Sequence, residues 1–139
     1  MQEFIWSVRV YYEDTDSAAV VYYANYLKFM ERARTEWLRA LGHEQDVLAA
    51  RHGVLFAVRS IAVDFLKPAR FNDLLHVSAA VTHVGRASLL FEQRVSRAIG
   101  GREDTLLASG RAKIVCLETR SFKPASIPSN LKKDLASAG

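Results

Sequence analysis

The residues best suited to catalysis form an acidic turn, Glu13–Ser17, with the sequence Glu-Asp-Thr-Asp-Ser. This turn places three carboxylates within four positions, between an alternating segment and a long helical pattern. One interpretation is structural, because Asp, Thr and Ser cap helix N-termini and negative charge is favoured there. However, helical periodicity begins only near Tyr22, and the intervening residues 18–21 are all apolar. We therefore expect the turn to enter a buried passage, where a carboxylate can serve as nucleophile or general base.

Other catalytic systems find little support in the sequence. It has no Gly-x-Ser-x-Gly motif, no phosphate-binding or dinucleotide glycine pattern, and no paired-cysteine or His-Glu-x-x-His spacing. We therefore predict no metal site and no cofactor. The single cysteine, Cys116, falls on the inward set of an alternating segment and is interpreted as a core residue. The four histidines are interpreted as surface residues: His43, His52, His76 and His83.

A charged pair interrupts the apolar stripe of the helical pattern. Arg34 falls in the same stripe as Met30 and Leu38, and Glu31 precedes it by three residues. That spacing lets the two side chains pair on a helix. We interpret them as an ion pair that tethers the helix to the sheet or to a second subunit; a substrate contact by Glu31 is the alternative.

The elements that must position the acidic turn follow from periodicity. Residues 4–13 alternate as a strand, and Tyr22–Gly42 has the period of a helix of about five turns. Four further strands are predicted, joined by short turns: Val54–Lys67, Leu74–Val84, Ala87–Ala98 and Thr105–Glu118. Such short connections favour antiparallel pairing. The sequence thus predicts an α+β fold, with a five-stranded antiparallel sheet packed around one long helix.

The strand predicted over Val54–Lys67 is apolar on both of its alternating sets. Phe56 and Val58 occupy one set, whereas the other contains Ile61, Val63 and Phe65. One helix covers only one face of a sheet, so we expect a second copy of the chain to cover the other face or the edge.

Composition and charge narrow the class of protein. The 139 residues are 50% apolar and 24% charged, which is typical of one globular domain, here residues 1–119, followed by a surface tail, residues 120–139. The tail carries four basic residues and one acidic residue, which leaves fifteen basic and fourteen acidic residues before it. The net charge of +4 therefore does not indicate a nucleic-acid partner. No apolar stretch is long enough to span a bilayer, no signal peptide is apparent, and a lone cysteine fits the cytoplasm.

The sequence resembles a known family along nearly its whole length. The stretch Val10–Asp16, followed by Val20–Tyr22, Asn25-Tyr26 and Glu31–Arg34, is similar to the hotdog-fold acyl-CoA thioesterases of the 4-hydroxybenzoyl-CoA thioesterase type. Within that family it most resembles bacterial thioesterases associated with the Tol–Pal system. The resemblance implies a hotdog fold, hydrolysis of acyl-CoA without a cofactor, a homotetramer built as a dimer of dimers, and acyl carrier protein as a possible partner.

The resemblance also implies roles for individual residues. Asp16 corresponds to the family's essential aspartate, as nucleophile or general base, and the backbone N–H of Tyr23 corresponds to its oxyanion donor. The chain departs from the family where Ala18 and Ala19 replace common glycines and where Tyr23 replaces a common histidine. Because coenzyme A carries phosphates, the candidate substrate contacts are basic or polar residues near strand ends: Lys67, Arg70, Arg86 and Ser88.

Two other hypotheses remain open at this point. A non-catalytic hotdog module could bind acyl-CoA or a protein, with Asp16 acting only as a helix cap. A hotdog hydratase or dehydratase is expected to use a histidine with its acid, and no histidine lies near the acidic turn in sequence.

Overall fold

The computed structural model describes residues 3–138; Met1, Gln2 and Gly139, at the ends of the two segments expected above, lie outside it. Within these residues, five strands and three α-helices follow one another. In order they are β1 (Phe4–Arg9), α1 (Tyr23–Ala40), α2 (Gln45–His52), β2 (Val54–Phe65), β3 (Leu74–Val84), β4 (Ser88–Ile99), β5 (Arg102–Glu118) and α3 (Ser129–Ala138).

The strands form one antiparallel sheet in the order β1-β3-β4-β5-β2. Helix α1 packs over β3, β1 and β4 through its apolar stripe, which includes the fully buried Phe29 and Ala33. The inward set of β3 meets it, and Leu75, Val77 and Ala79 are each 0% exposed. The predicted fold class is therefore confirmed: the chain is α+β, with a five-stranded antiparallel sheet around one long helix.

A glycine on β5 allows the edge strand and the helix to approach closely. A Cβ added at Gly110 would lie 3.0 Å from the Ala62 carbonyl oxygen and 3.4 Å from the terminal methyl of Met30. The 3.0 Å distance is shorter than ordinary van der Waals contact, so a side chain here would require β2 to shift.

Two local differences from the expected elements have clear causes. Strand β1 ends at Arg9 because the Val10 N–H donates to the Asp73 carbonyl, after which Tyr12–Asp14 curls into a 3-10 turn. Helix α2 was not expected, since its sequence has almost no apolar stripe and only Leu48 is buried.

The prediction that β2 is apolar on both faces is wrong. Its register against β5 shifts between Val58 and Ser60, where Arg59 is an extra, unpaired residue. Because a bulge changes the parity of the alternation, apolar residues before and after it point to the same face. All five stand opposite the inward set of β5, in the pairs Phe56–Cys116, Val58–Ile114, Ile61–Ala112, Val63–Gly110 and Phe65–Ala108.

The segment after residue 119 differs from the expected surface tail. Ile127, Leu131 and Leu135 are at most 4% exposed and belong to the hydrophobic core. Leu131 and Leu135 lie on the same side of α3 because they are four residues apart. Lys132 and Lys133 are exposed on the same helix, and Arg120 and Lys123 are exposed before it, which explains why the composition of this segment resembles that of a tail.

Candidate active site

The acidic turn folds into a small hairpin ahead of α1. Thr15 and Val21 form an isolated antiparallel bridge, and the Asp16 N–H donates to the Val20 carbonyl oxygen at 2.9 Å. Within the turn, the Ala18 N–H donates to Asp16 Oδ1 at 2.8 Å. Asp16 is therefore held beside the start of α1 by both its backbone and its side chain.

The two aspartates of the turn have different environments. Asp14 is 7% exposed, and its Oδ2 accepts the Tyr11 N–H at 2.8 Å. Its carbonyl oxygen accepts the Tyr22 N–H at 3.0 Å and the Asn25 side-chain amide at 2.8 Å. Asp14 therefore ties the turn to the first residues of α1, whereas Asp16 is exposed and has a free carboxylate oxygen for chemistry.

The expected buried passage is only partly present. Val21 is 5% exposed, but Ala18 and Ala19 are exposed in the single chain. Ala19 adopts a φ of 64°, in the left-handed region. A glycine enters that region without a steric cost, whereas the Cβ of alanine makes it unfavourable.

The N-terminus of α1 supplies the donors that face the turn. Tyr22 is the N-cap and makes no side-chain capping hydrogen bond, and Tyr23 is the first helical residue. The first N–H groups of a helix have no intrahelical partner and carry the positive end of its dipole. The backbone N–H of Tyr23 is thus available to an oxyanion, as a donor that needs no side chain.

Two exposed tyrosines, Tyr22 and Tyr23, lie at this helix end near the acidic turn. The rings of Tyr22 and Tyr23 lie 4.7 Å apart between centroids, and the ring of Tyr23 meets Phe65 edge-on at 6.0 Å. The Tyr23 hydroxyl raises the pKa of Tyr22 by hydrogen bonding, and the charge of Asp16 raises that pKa further. The Asp16 carboxylate therefore lies within electrostatic range of Tyr22. Sequence analysis did not single out Tyr22 or Phe65.

The candidate coenzyme A contacts divide into two groups. Arg70 forms an isolated bridge with Val20, next to the acidic turn, and Lys67 lies two residues beyond Phe65. Arg86 lies at the far end of β3, where its Nη1 donates to Ser126 Oγ at 2.8 Å, and Ser88 begins β4. An eleven-residue strand separates these ends by about 35 Å. One chain therefore brings Asp16, Tyr23, Lys67 and Arg70 to one end of the sheet, without Arg86 and Ser88.

Arg34 does not form the ion pair expected with Glu31. It is 8% exposed, and its Nη1 donates to Gln93 Oε1 at 2.8 Å. Burial lowers the pKa of Arg34, and the charge of Glu31 only partly opposes that effect. Sequence spacing alone missed this partner because Gln93 comes from β4, which is distant along the chain.

The remaining reactive groups are structural. Cys116 is fully buried, and burial raises the pKa of its thiol, which confirms it as a core residue. His43 is less exposed than expected, since its side chain is 10% exposed and Nε2 lies 2.6 Å from Asp134 of α3. Within residues 3–138, no group of three His, Cys, Asp or Glu side chains is arranged to hold a metal ion.

Comparison with known proteins identifies the family to which the chain belongs. A model of the thioesterase superfamily matches residues 18–103. The acyl-CoA thioesterase YbgC of Haemophilus influenzae is 41% identical over 93% of this chain and 91% of that protein. The acyl-CoA thioester hydrolase YbgC of Escherichia coli O6:H1 is 42% identical over 92% of each chain.

A solved structure shows the same fold. The 4-hydroxybenzoyl CoA thioesterase from a Pseudomonas species superposes with a TM-score of 0.88 at 18% identity, over 96% of this chain and 99% of that chain. These matches confirm the resemblance noted from the acidic turn and the helix that follows it. The chain belongs to the thioesterase superfamily and has its hotdog fold.

Proposed function

We propose that this protein hydrolyses acyl-CoA thioesters to a free acid and coenzyme A. The observation that carries the proposal is the exposed Asp16 carboxylate held beside the uncapped N-terminus of α1. Relatives at 41% and 42% identity bear the names acyl-CoA thioesterase and acyl-CoA thioester hydrolase. Thioester hydrolysis requires the same two groups, a base or nucleophile and an oxyanion donor.

The backbone N–H of Tyr23 takes the role of oxyanion donor. As the carbonyl carbon becomes tetrahedral, negative charge develops on its oxygen, where an N–H and the helix dipole stabilise it. Asp16 can act in two ways. As nucleophile, its carboxylate attacks the carbonyl carbon, the C–S bond breaks to release the coenzyme A thiolate, and water then cleaves the mixed anhydride. As general base, it accepts a proton from the attacking water before the same bond breaks.

Coenzyme A contacts are proposed from two chains. Lys67 and Arg70 lie at the Asp16 end of the sheet and suit the phosphates of a substrate bound there. Arg86 and Ser88 lie at the opposite end of β3, so they serve a site only if a second subunit presents them.

We further propose that the chain forms a homo-oligomer, a tetramer built as a dimer of dimers. Strand β2 is a twelve-residue edge strand, and its unpaired backbone groups suit pairing with another copy. Its helix-side face is also incompletely covered, since Val58 is 50% exposed and Phe65 is 48% exposed.

Several finer predictions depend only on the family resemblance or on composition. These are acyl carrier protein as a partner, the Tol–Pal association and the cytoplasmic location. No helix within residues 3–138 has the length and hydrophobicity needed to cross a membrane.

Thiol release from short-chain and long-chain acyl-CoAs tests the activity. We expect Asp16→Asn to keep the fold by circular dichroism, because asparagine retains an Oδ1 acceptor, and to lose at least about 100-fold in turnover. Glu13→Gln is the matched control, since this neighbouring exposed carboxylate is not assigned to the site. Normal turnover by Asp16→Asn would reject the assignment. Substrate binding without thiol release by the wild type would favour the non-catalytic module, and hydration of an enoyl-CoA would favour the hydratase.

A further inference from the structure

A groove runs along the open side of α1, between this helix and edge strand β2. Its upper part is lined by Leu27, Lys28 and Ile61. Lower down it shares Glu31, Arg34 and Val58 with a cavity of about 90 Å³. The other apolar walls of that cavity are Trp37, Leu38, Phe56, Leu89, Phe91 and Ile114.

The groove begins at Leu27, one helical turn beyond the proposed catalytic end of the helix. Tyr23, Leu27, Glu31 and Arg34 occupy successive turns of one helical face. The ring of Phe65 from β2 meets Tyr23 at the head of this face. Eleven residues of helix separate Tyr23 from Arg34, which is about 16 Å or three turns. An extended acyl chain whose thioester lies at Tyr23 would reach the cavity.

Arg34 presents unused hydrogen-bond donors to this cavity. Gln93 Nε2 donates to the carbonyl oxygens of Met30 and Ser78, both at 3.0 Å, so its Oε1 holds the Arg34 guanidinium from one side. Among the described residues, no carboxylate lies within 4.0 Å of that guanidinium. Across the same part of the chain, no buried side-chain nitrogen lacks a partner, so the unpaired N–H groups of Arg34 open into the cavity.

The cavity also contains an acceptor of opposite charge. Glu31 lines it one turn before Arg34 and is exposed. A carboxylate ligand would be attracted by Arg34 and repelled by Glu31. A hydroxyl group satisfies both, because its oxygen accepts from a guanidinium N–H while its O–H donates to a carboxylate. A plain methyl end would give the remaining N–H groups of Arg34 no acceptor and would give Glu31 no donor.

We propose that Arg34 and Glu31 form a specificity subsite for acyl chains that carry a hydroxyl group at the distal end. Gln93 is the positioning residue that orients Arg34. The subsite rests on the proposed thioesterase function for its substrate, while its binding preference is measurable without turnover. A second subunit paired edge-to-edge with β2 would cover the open side of the groove, so that the helix-side face of β2 lines a closed channel.

Kinetics with three matched substrates test the proposal: dodecanoyl-CoA, its terminal-hydroxy derivative and its terminal-carboxy derivative. We expect the wild-type kcat/KM to be at least about tenfold higher for the hydroxy substrate than for either of the others. Arg34→Met, which is similar in length, should abolish that preference, and Glu31→Ala should reduce it. Glu36→Ala is the control, because Glu36 pairs with Arg39 and does not line the cavity.

Several outcomes would overturn the subsite. These are equal kcat/KM for all three substrates, a preference for the carboxy substrate, or a hydroxy preference that survives in Arg34→Met. If Arg34→Met changes the oligomer mass but not the preference, Arg34 is an interface residue. If Arg34→Met does not fold, the subsite is judged from two other results. These are the substrate preference of the wild type and the change in that preference in Glu31→Ala, where the substituted residue is exposed. Calorimetric Kd values of thioether analogues separate the two proposals, since a hydroxy preference in Kd without hydrolysis retains the subsite and rejects the activity.

Discussion

At the scale of single residues, burial assigns different roles to two chemically identical side chains. Asp14 and Asp16 stand two positions apart in the acidic turn. The Asp14 side chain is buried and accepts a backbone N–H, so it contributes to folding. Asp16 keeps an oxygen exposed beside the donors of a helix end. A structural carboxylate and the proposed catalytic carboxylate thus lie two positions apart in one turn.

The role of Asp14 can be tested by stability. Asp14→Ala leaves the Tyr11 N–H without its acceptor, and we expect the free energy of unfolding to fall by about 1–3 kcal/mol. Urea denaturation measures this change. Glu13→Ala, at an exposed neighbouring position, should stay within about 0.5 kcal/mol of the wild type. Equal losses in the two variants would contradict the structural role of Asp14.

At the scale of elements, the hairpin before α1 positions the site. Its bridge between Thr15 and Val21 brings Asp16 back to the helix start, and a second bridge from Val20 brings Arg70 there. The hairpin closes through a residue in the left-handed region, which is here alanine rather than glycine. Alanine therefore occupies a backbone conformation that favours glycine.

That conformation predicts a stabilising substitution. Ala19→Gly removes the Cβ from a residue with a φ of 64°, and we expect a gain of up to about 1 kcal/mol, smaller than the strain because glycine gains freedom in the unfolded chain. Thermal unfolding measures it. Ala18→Gly is the control, since Ala18 is not among the residues with positive φ and should lose stability or stay unchanged. A gain in Ala18→Gly equal to that in Ala19→Gly would exclude backbone strain as the cause.

At the scale of the whole molecule, the sheet has an uncovered edge at strand β2. Helix α1 lies over β1, β3 and β4, so the helix-side face and the free edge of β2 both remain accessible. The candidate coenzyme A contacts are also divided between opposite ends of β3. Both features have one explanation if a second subunit lies against β2 and supplies Arg86 and Ser88.

Sedimentation equilibrium tests this assembly. At micromolar concentration we expect the mass of four chains, with dilution passing through dimers, because edge pairing satisfies the free backbone groups of β2. Salt should have little effect on an interface formed mainly by backbone and apolar groups. A monomer across the micromolar range would contradict both the tetramer and the contribution of Arg86 and Ser88.

The sequence by itself determined the five strands, helix α1 and the unusual composition of the acidic turn. Leu74–Val84 has the predicted bounds, and α1 follows the predicted helical stripe closely, because alternation and helical periodicity are local properties that burial preserves. The acidic turn was identifiable from its unusual composition, whereas the roles of Asp16 and of the Tyr23 N–H follow from the family resemblance and stay predictions.

Only the tertiary structure decided which face each residue of β2 occupies, how the last helix packs and where Arg34 finds its partner. The bulge at Arg59 reverses the parity of a strand through its pairing with β5, and a single sequence carries no signal for that register. Gln93 and Leu131 reach their contacts from distant parts of the chain. Such contacts depend on which elements become neighbours. The packing of all apolar faces into one core determines those neighbours.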